Sequence, residues 1–570
     1  MAAGIATLVP PWIRGYRREW AVRDMVAGAT LAAVAIPECM GYTSIAQTPI
    51  VTGLYTIIFP TLVFALIGSS RLLVVGADSA TAALLAAGLG GAAISGAAPG
   101  SPEWLAYCSV IALICGVLLL VARVFRLGFL GDFLSASVLV GFLTGVGVQV
   151  LTGQIPDMLG VPKGTGTWLQ QQWAWITEIP DTHWPTFAYA AGTVLIIRGF
   201  KRFIPKVPGA IVAVLLFIAL STVLDSAANG VDVVGAVQGG FPPIGLPQGI
   251  TMDDITANMA TLLGIGFSCF VLIIAQSAAT SRSFAMKHGQ PVDVNRDILG
   301  LSGASFAAGL SGTFVVNGSP TKTQILDEQK GRTQLANMTM SVITLLVVLF
   351  FTAVLTNMPK AVLGGIVFLI GVSLVDIAGL RLIAKVRRGE FVIAVVTAVV
   401  VCAVGVEQGI ILAVVVSILN IIRRQYRPTD FVLGVGAQGQ ATYAPATPGT
   451  ESAPGLIIFR YDAELFYANA NRFVDDVEAL IEKAPTKVEW LILDASSLDD
   501  IDYSAAAALR GLFDYLDAKG ITPAVARADA SIMGMFASYG LDNRIPADRV
   551  FGTLSGAYAA FMARDRAPTT

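Results

Sequence analysis

Glu38, Asp78 and Lys322 stand in or beside apolar stretches, where together they could bind and move a charged solute. Glu38 lies inside the first long apolar run, residues 25–42, directly after Pro37. An ionisable group at bilayer depth costs roughly 2.5–3.5 kcal/mol on insertion scales, so it faces a water-filled cavity or a partner inside a bundle. Pro37 interrupts the helix ladder, which is tolerated where backbone lines a cavity. Asp78 sits in Leu72-Leu-Val-Val-Gly-Ala-Asp-Ser-Ala80, which reads as a short extended piece and then a helix capped by Asp78 or Ser79. The stretch Gly312-Thr-Phe-Val-Val-Asn-Gly-Ser-Pro-Thr-Lys322 repeats the pattern, with Ser319 at the cap and Pro320 at the first helical position.

Interrupted segments at matching places in two halves point to a transporter's binding site. A helix start presents free N–H groups and a partial positive charge, worth roughly 0.3–2 kcal/mol to an anion. Lys322, one turn into the second half-helix, adds a full positive charge. Candidate substrate contacts are therefore Asp78, Ser79 and Ala80 at one start and Gly318, Ser319, Pro320, Thr321 and Lys322 at the other. The alternative is two ordinary loops with Asp78 and Ser319 as plain caps.

These residues need a membrane scaffold around them. The chain has 570 residues, 55% hydrophobic and 13% charged, with a mean hydropathy of +0.71. Soluble domains carry about 25% charged residues, so this composition is that of an integral membrane protein. Apolar runs near 23–45, 50–68, 104–122, 130–153, 186–200, 207–225, 255–281, 335–357 and 360–380 are long enough to span. Shorter runs lie near 75–92, 297–312, 319–328, 391–404 and 408–422, giving twelve to fourteen segments. No small-residue cleavage site follows the basic N-terminus, so a removed signal peptide is not expected.

Arg14, Arg17, Arg18 and Arg23 precede the first span. Arg123 and Arg126, then Arg198, Lys201, Arg202 and Lys206, then Arg381, Lys385, Arg387 and Arg388 occupy alternate loops, and Arg423, Arg424 and Arg427 follow the last span. Residues 231–254 carry no Lys or Arg. The positive-inside rule places both termini in the cytoplasm of a multi-pass protein of the bacterial inner membrane. Trp168, Trp173, Trp175 and Trp184 would anchor the outer interface. Beyond residue 428 charge rises and strands alternate with amphipathic helices, as in a small soluble α/β domain.

Several motifs, in order, resemble the sulfate permease (SulP) family of anion transporters. They are Pro49-Ile-Val-Thr-Gly-Leu-Tyr-Thr-Ile-Ile-Phe-Pro60, Gly68-Ser-Ser-Arg71, Lys287-His-Gly-Gln-Pro-Val-Asp-Val-Asn295, Gly318-Ser319 and Gly331-Arg-Thr-Gln334. Ile457-Ile-Phe-Arg-Tyr-Asp462 resembles the opening of the family's STAS domain. The resemblance implies a polytopic α-helical protein of fourteen segments in a 7+7 inverted repeat. Segments one to four and eight to eleven would form a core and the rest a gate, with half-helices in segments 3 and 10 flanking the substrate. It also implies a homodimer and an α/β STAS domain that regulates transport or binds a cytoplasmic protein partner. The domain reading is 1–22 as a cytoplasmic segment, 23–427 as the transporter, 428–565 as STAS and 566–570 as a tail.

Many family members carry Gln after the Ile-Pro of segment one and an acid in segment eight; here Glu38 and Gln276 stand in those places, and the resemblance adds Gln276 to the candidate substrate contacts. Lys322 stands where Arg is common, a point charge in place of a planar fork. Burial disfavours ionised Glu38 while Lys322 favours it. The expectation is proton–anion symport, with Glu38 protonated before a small inorganic or organic anion binds: sulfate, or a dicarboxylate such as fumarate or succinate. Rivals are an uncoupled exchanger or channel, for sulfate or bicarbonate among others, and a Glu38–Lys322 ion pair that only pins helices. Sodium coupling is disfavoured, because Gln276 replaces its natural ligand. Ser504 falls where some anti-sigma-factor antagonists are phosphorylated, and Asp502 or Ser504 would cap the helix there.

No phosphate loop with Lys-Ser/Thr, nucleophile elbow or His-bearing metal motif is present, so an enzyme or ATP-driven pump is disfavoured. No cofactor, metal or nucleic-acid partner is expected. Cys39, Cys108, Cys115, Cys269 and Cys402 lie in apolar runs as small packing residues, and His183 and His288 fall in loops.

Overall fold

The structure is a computed structural model describing residues 10–13, 16–91, 97–128, 135–164, 167–204, 207–235, 237, 239–426, 428–436 and 440–564. The tail 566–570, residues 1–9 and the cations Arg14, Lys206 and Arg427 lie outside the described residues. The chain divides into two compact units, Met1–Ser417 and Ile418–Thr570.

The first unit is helical. The segments are α1 (Trp20–Ala46), a broken second segment of α2 (Ile50–Tyr55) and α3 (Phe59–Ile67), then β1 (Val74–Gly76) with α4 (Ser79–Gly91), and α5 (Pro102–Val124). α6 (Ala136–Leu159) follows, then the short α7 (Trp168–Thr177), α8 (Trp184–Phe203) and α9 (Gly209–Val223). The second half runs from the short α10 (Met252–Ala257) through α11 (Met259–His288), α12 (Val294–Leu310), β2 (Asn317–Ser319) with α13 (Pro320–Glu328), and α14 (Leu335–Phe350). It ends with α15 (Lys360–Leu374), the amphipathic α16 (Ile377–Val386), α17 (Arg388–Ala403) and α18 (Val406–Tyr426), whose residues from Ile418 on belong to the second unit. Counting the broken segment once, and leaving out α7, α10 and α16, gives fourteen segments among the described residues. Among the described residues six stretches are long and apolar enough to cross a membrane: α1, α5, α6, α11, and the pairs α2 with α3 (Ile50–Ile67) and α15 with α16 (Lys360–Val386).

Three local expectations change. Residues 50–68 read as one span, but the helix breaks at Ile58 (φ −100°, ψ −92°), and Pro60 starts the next helix. Pro37, expected to interrupt its segment, lies inside a continuous α1; proline removes a single ladder donor there and the flanking turns persist. His288 is likewise the last residue of α11, not a loop residue.

The two halves meet at their centre. β1 and β2 pair antiparallel, with Val74 opposite Ser319, Val75 opposite Gly318 and Gly76 opposite Asn317. The glycines permit this approach. A Cβ on Gly76 would lie 2.5 Å from Ile57 Cγ2, and one on Gly318 would lie 2.8 Å from Ser277 Oγ. Fully buried side chains such as Leu73, Phe314, Val315 and Val316 pack around the pair.

Buried carboxylates hold the loops that position it. Asp297 on α12 accepts from the Ser69 and Ser70 amides (2.7 and 2.8 Å) and from the Ser69 and Ser281 hydroxyls (2.9 and 2.6 Å). Asp24 on α1 accepts from the Arg332 amide and the Thr333 hydroxyl. Gln334 donates to the carbonyls of Ser70 and Leu73, both at 2.9 Å, and Asn337 donates to Leu73 at 3.0 Å. The motifs Gly68-Ser-Ser-Arg71 and Gly331-Arg-Thr-Gln334 thus serve the scaffold.

The second unit is a six-stranded sheet in the order β4-β3-β5-β6-β7-β8, with β3 (Asp430–Val435), β4 (Ala441–Pro445), β5 (Leu456–Tyr461), β6 (Trp490–Asp494), β7 (Thr522–Ala526) and β8 (Val550–Phe551). β5 to β8 are parallel, as crossover helices require, and β3 pairs antiparallel with both β4 and β5. Its helices are α19 (Ala470–Glu482), α20 (Tyr503–Lys519), α21 (Ala530–Ser538) and α22 (Leu554–Ala563). β6 is buried along its length, as a central parallel strand should be.

Candidate functional site

Four elements bring the sequence-predicted residues together: α1, the β1–α4 junction, α11 and the β2–α13 junction. Lys322 is completely buried, and its Nζ lies 3.7 Å from Glu38 Oε2. The same ammonium donates to the Ala77 carbonyl at 2.8 Å and stands 4.6 Å from the centroid of the Tyr42 ring. Tyr42, one turn along α1 from Glu38, points its hydroxyl at Glu38 Oε2, 3.5 Å away. Glu38 keeps 16% of its side chain exposed, so its carboxylate is the accessible member of the pair.

Asp78 stands in the capping position of α4 and is 5% exposed. Its Oδ1 accepts from the Ala80 amide at 3.1 Å, and its carbonyl accepts from Ala82 at 3.0 Å. A carboxylate of the chain itself therefore occupies the start of this half-helix. Lys322 and the Asn317 amide are its polar neighbours. Ser79 and Ala80 are buried behind it.

The second half-helix starts as its sequence dictates. Ser319 Oγ accepts from the Lys322 amide at 3.4 Å and lies 3.1 Å from Thr321 Oγ1, with Pro320 in the first turn. Thr323 donates to the Ser319 carbonyl at 2.6 Å and accepts from the Val74 amide at 3.1 Å, tying α13 to β1. The Gly318 amide donates to Ser277 Oγ at 3.1 Å. Asn317 donates to Gln276 Oε1 at 2.6 Å, while Ser277 donates to Asn317 Oδ1 at 2.8 Å. Gln276 thus meets the site through a buried relay from α11 to β2.

Charge defines what the arrangement can do. Two carboxylates and one ammonium leave the trio at −1 when all are ionised. With both acids neutral the trio is at +1, so protonation changes the sign of the charge beside the two helix starts. Sequence reasoning passed over Tyr42, Asn317 and Ser277. Tyr42 had a signal, its i+4 spacing from Glu38. Asn317 and Ser277 had none, because their partners are about forty residues apart in the chain.

In the second unit Asp502 caps α20, accepting from the Ala505 amide at 2.7 Å. Ser504 is the second helical residue and is exposed.

Comparison with known proteins places this architecture. Residues 22–397 match the model of the sulfate permease family, and residues 447–557 match the STAS domain. A Mycobacterium tuberculosis protein named "Probable sulfate transporter" is 33% identical over 97% of both chains. The low affinity sulfate transporter 3 of Stylosanthes hamata is 28% identical over 98% of this chain and 90% of its own. Among solved structures, the murine Solute Carrier 26 family member A9 anion transporter, in the inward-facing state, superposes with a TM-score of 0.86 at 21% identity, covering 99% of this chain and 95% of that one. The transmembrane domain of a cyanobacterium bicarbonate transporter gives 0.59 at 21% identity, over 71% of this chain and 98% of its own.

Proposed function

Because this chain belongs to the sulfate permease family of membrane anion transporters, we propose that it is a proton-coupled symporter of a small divalent oxyanion, sulfate foremost. The observation that carries the reading is the net −1 trio of Glu38, Asp78 and Lys322 beside two helix starts. Glu38 is the proton carrier, since its carboxylate is the more accessible of the two acids. Protonating it removes one repulsive charge and loosens its hold on Lys322, freeing that ammonium to face the anion. On the far side the anion and the Glu38 proton both leave, and the carboxylate reforms its contact with Lys322. Sulfate is preferred over a dicarboxylate because the relatives at 28–33% identity carry sulfate in their names.

In this reading the core carries the site past the gate, both termini face the cytoplasm of the bacterial inner membrane, and the protein works as a homodimer. The STAS domain regulates the cycle or engages a cytoplasmic protein partner. The test is radiolabelled sulfate uptake into proteoliposomes under inward and zero proton gradients. The expected result is gradient-driven accumulation in the wild type and gradient-independent exchange in Glu38→Gln. Accumulation by Glu38→Gln equal to wild type would falsify the reading. A wild type indifferent to the gradient would favour the uncoupled exchanger, to which the closed Glu38–Lys322 pair is equally suited.

A further inference from the structure

α16 is tethered at both ends to membrane segments by very short links. Val375 and Asp376 separate it from α15, and α17 begins two residues after it ends. α15 has 15 residues, about 22 Å at ~1.5 Å per residue and short of the ~30 Å hydrocarbon core; only with α16 does Lys360–Val386 become long and apolar enough to cross. The cations at 381, 385 and 388 therefore mark where the chain leaves the bilayer.

No residue of α16 is buried. Ala378, Leu382 and Val386 form one exposed stripe at i, i+4, i+8, with Leu382 63% and Val386 69% exposed. Arg381 and Lys385 form a second exposed stripe directly beside it, and Arg388, also exposed, opens α17 two residues beyond the end of α16. Among the described residues no ion pair joins these three cations to an acid. The nearby acids are engaged otherwise: Asp376 caps the helix, accepting from the Gly379 amide at 2.7 Å, and Glu390 stands 3.7 Å from Arg387.

We propose that α16 is a docking surface for anionic phospholipid. The apolar stripe enters the acyl boundary and the cations meet headgroup phosphates, as amphipathic interfacial helices do. Lipid is the occupant because these cations mark where the chain leaves the bilayer and their unpaired charge is complementary to phosphate. The inference is independent of what the protein carries.

The experiment is native mass spectrometry of the full-length protein taken from mixed phosphatidylglycerol and phosphatidylcholine vesicles. The wild type retains phosphatidylglycerol preferentially. The triple variant Arg381→Gln, Lys385→Gln, Arg388→Gln loses that preference by about a hundredfold, at roughly fivefold per near-surface cation. Arg198→Gln with Arg202→Gln, a change at the basic end of α8, leaves the preference unchanged. In nanodiscs, acylation of Lys385 by an amine reagent is slower in phosphatidylglycerol than in phosphatidylcholine. A triple variant with wild-type retention, an equal loss in the Arg198/Arg202 control, or lipid-independent reactivity of Lys385 would each overturn the proposal.

Discussion

Removing Lys322 should cost far more stability than removing either acid beside it, and acid should restore part of the loss. At 3.7 Å the Lys322–Glu38 attraction is about 4–5 kcal/mol at an effective dielectric of ~20. The hydrogen bond from Lys322 to the Ala77 carbonyl is charge-assisted and adds roughly 1.5–3 kcal/mol. Lys322→Gln forfeits both and leaves two buried carboxylates facing each other, the situation that costs about 3–5 kcal/mol when a buried pair is broken. Glu38→Gln leaves Lys322 matched with Asp78 and keeps a polar partner for Tyr42, so its cost should be about 1–2 kcal/mol. The assay is the temperature at which detergent-solubilised protein leaves the monodisperse peak, measured at pH 7.5 and again at pH 5. Lys322→Gln should melt well below Glu38→Gln at the higher pH and recover at the lower one, where the orphaned acids take up protons. If Glu38→Gln proves the more damaging, or if acid fails to recover Lys322→Gln, the charge ledger is wrong.

Asp297→Asn should destabilise by roughly 2–4 kcal/mol, because an amide cannot accept all four donors that converge on the carboxylate; folded yield and thermal unfolding report it, and a silent variant would refute the scaffold role. Burial first, and then the neighbouring Asp476, push the Asp430 carboxyl up to about 7. A raised folded value means the stability it contributes is full below about pH 4 and is lost as pH rises from there through about 7, so proteolysis within residues 430–564 should speed up between about pH 4 and 7 and level off above, and Asp476→Asn should flatten that change. Ser504→Ala should leave thermal stability within about 0.5 kcal/mol, since Asp502 caps α20, whereas Asp502→Ala should cost about 1 kcal/mol.

Segment count and the two broken segments were readable because hydropathy and Gly-bounded β-branched runs are local signals. The broken second segment was not, since the flanking residues are uniformly apolar and only the backbone at Ile58 departs from helix. For the site, Glu38 betrayed itself by its apolar surroundings and Lys322 by its distance from a capped helix start. Their mutual contact, and the Ala77 carbonyl that shares the ammonium, depend on pairing between residues more than 240 positions apart. Asp24, Asp297 and Gln334 were equally hidden: each is an ordinary polar residue until a loop from the other half arrives. The phrase Gly331-Arg-Thr-Gln334 served as a mark of kinship, but nothing in its letters said that Gln334 would bond the backbone ahead of β1.

The ladder between Val74–Gly76 and Asn317–Ser319 also constrains how the protein comes into being. Neither half of the gene encodes a working cradle, because each supplies one edge of a two-ply seam. During synthesis the early half must wait, with its acid at position 78 lacking a counter-ion, until the ribosome has delivered more than three hundred residues.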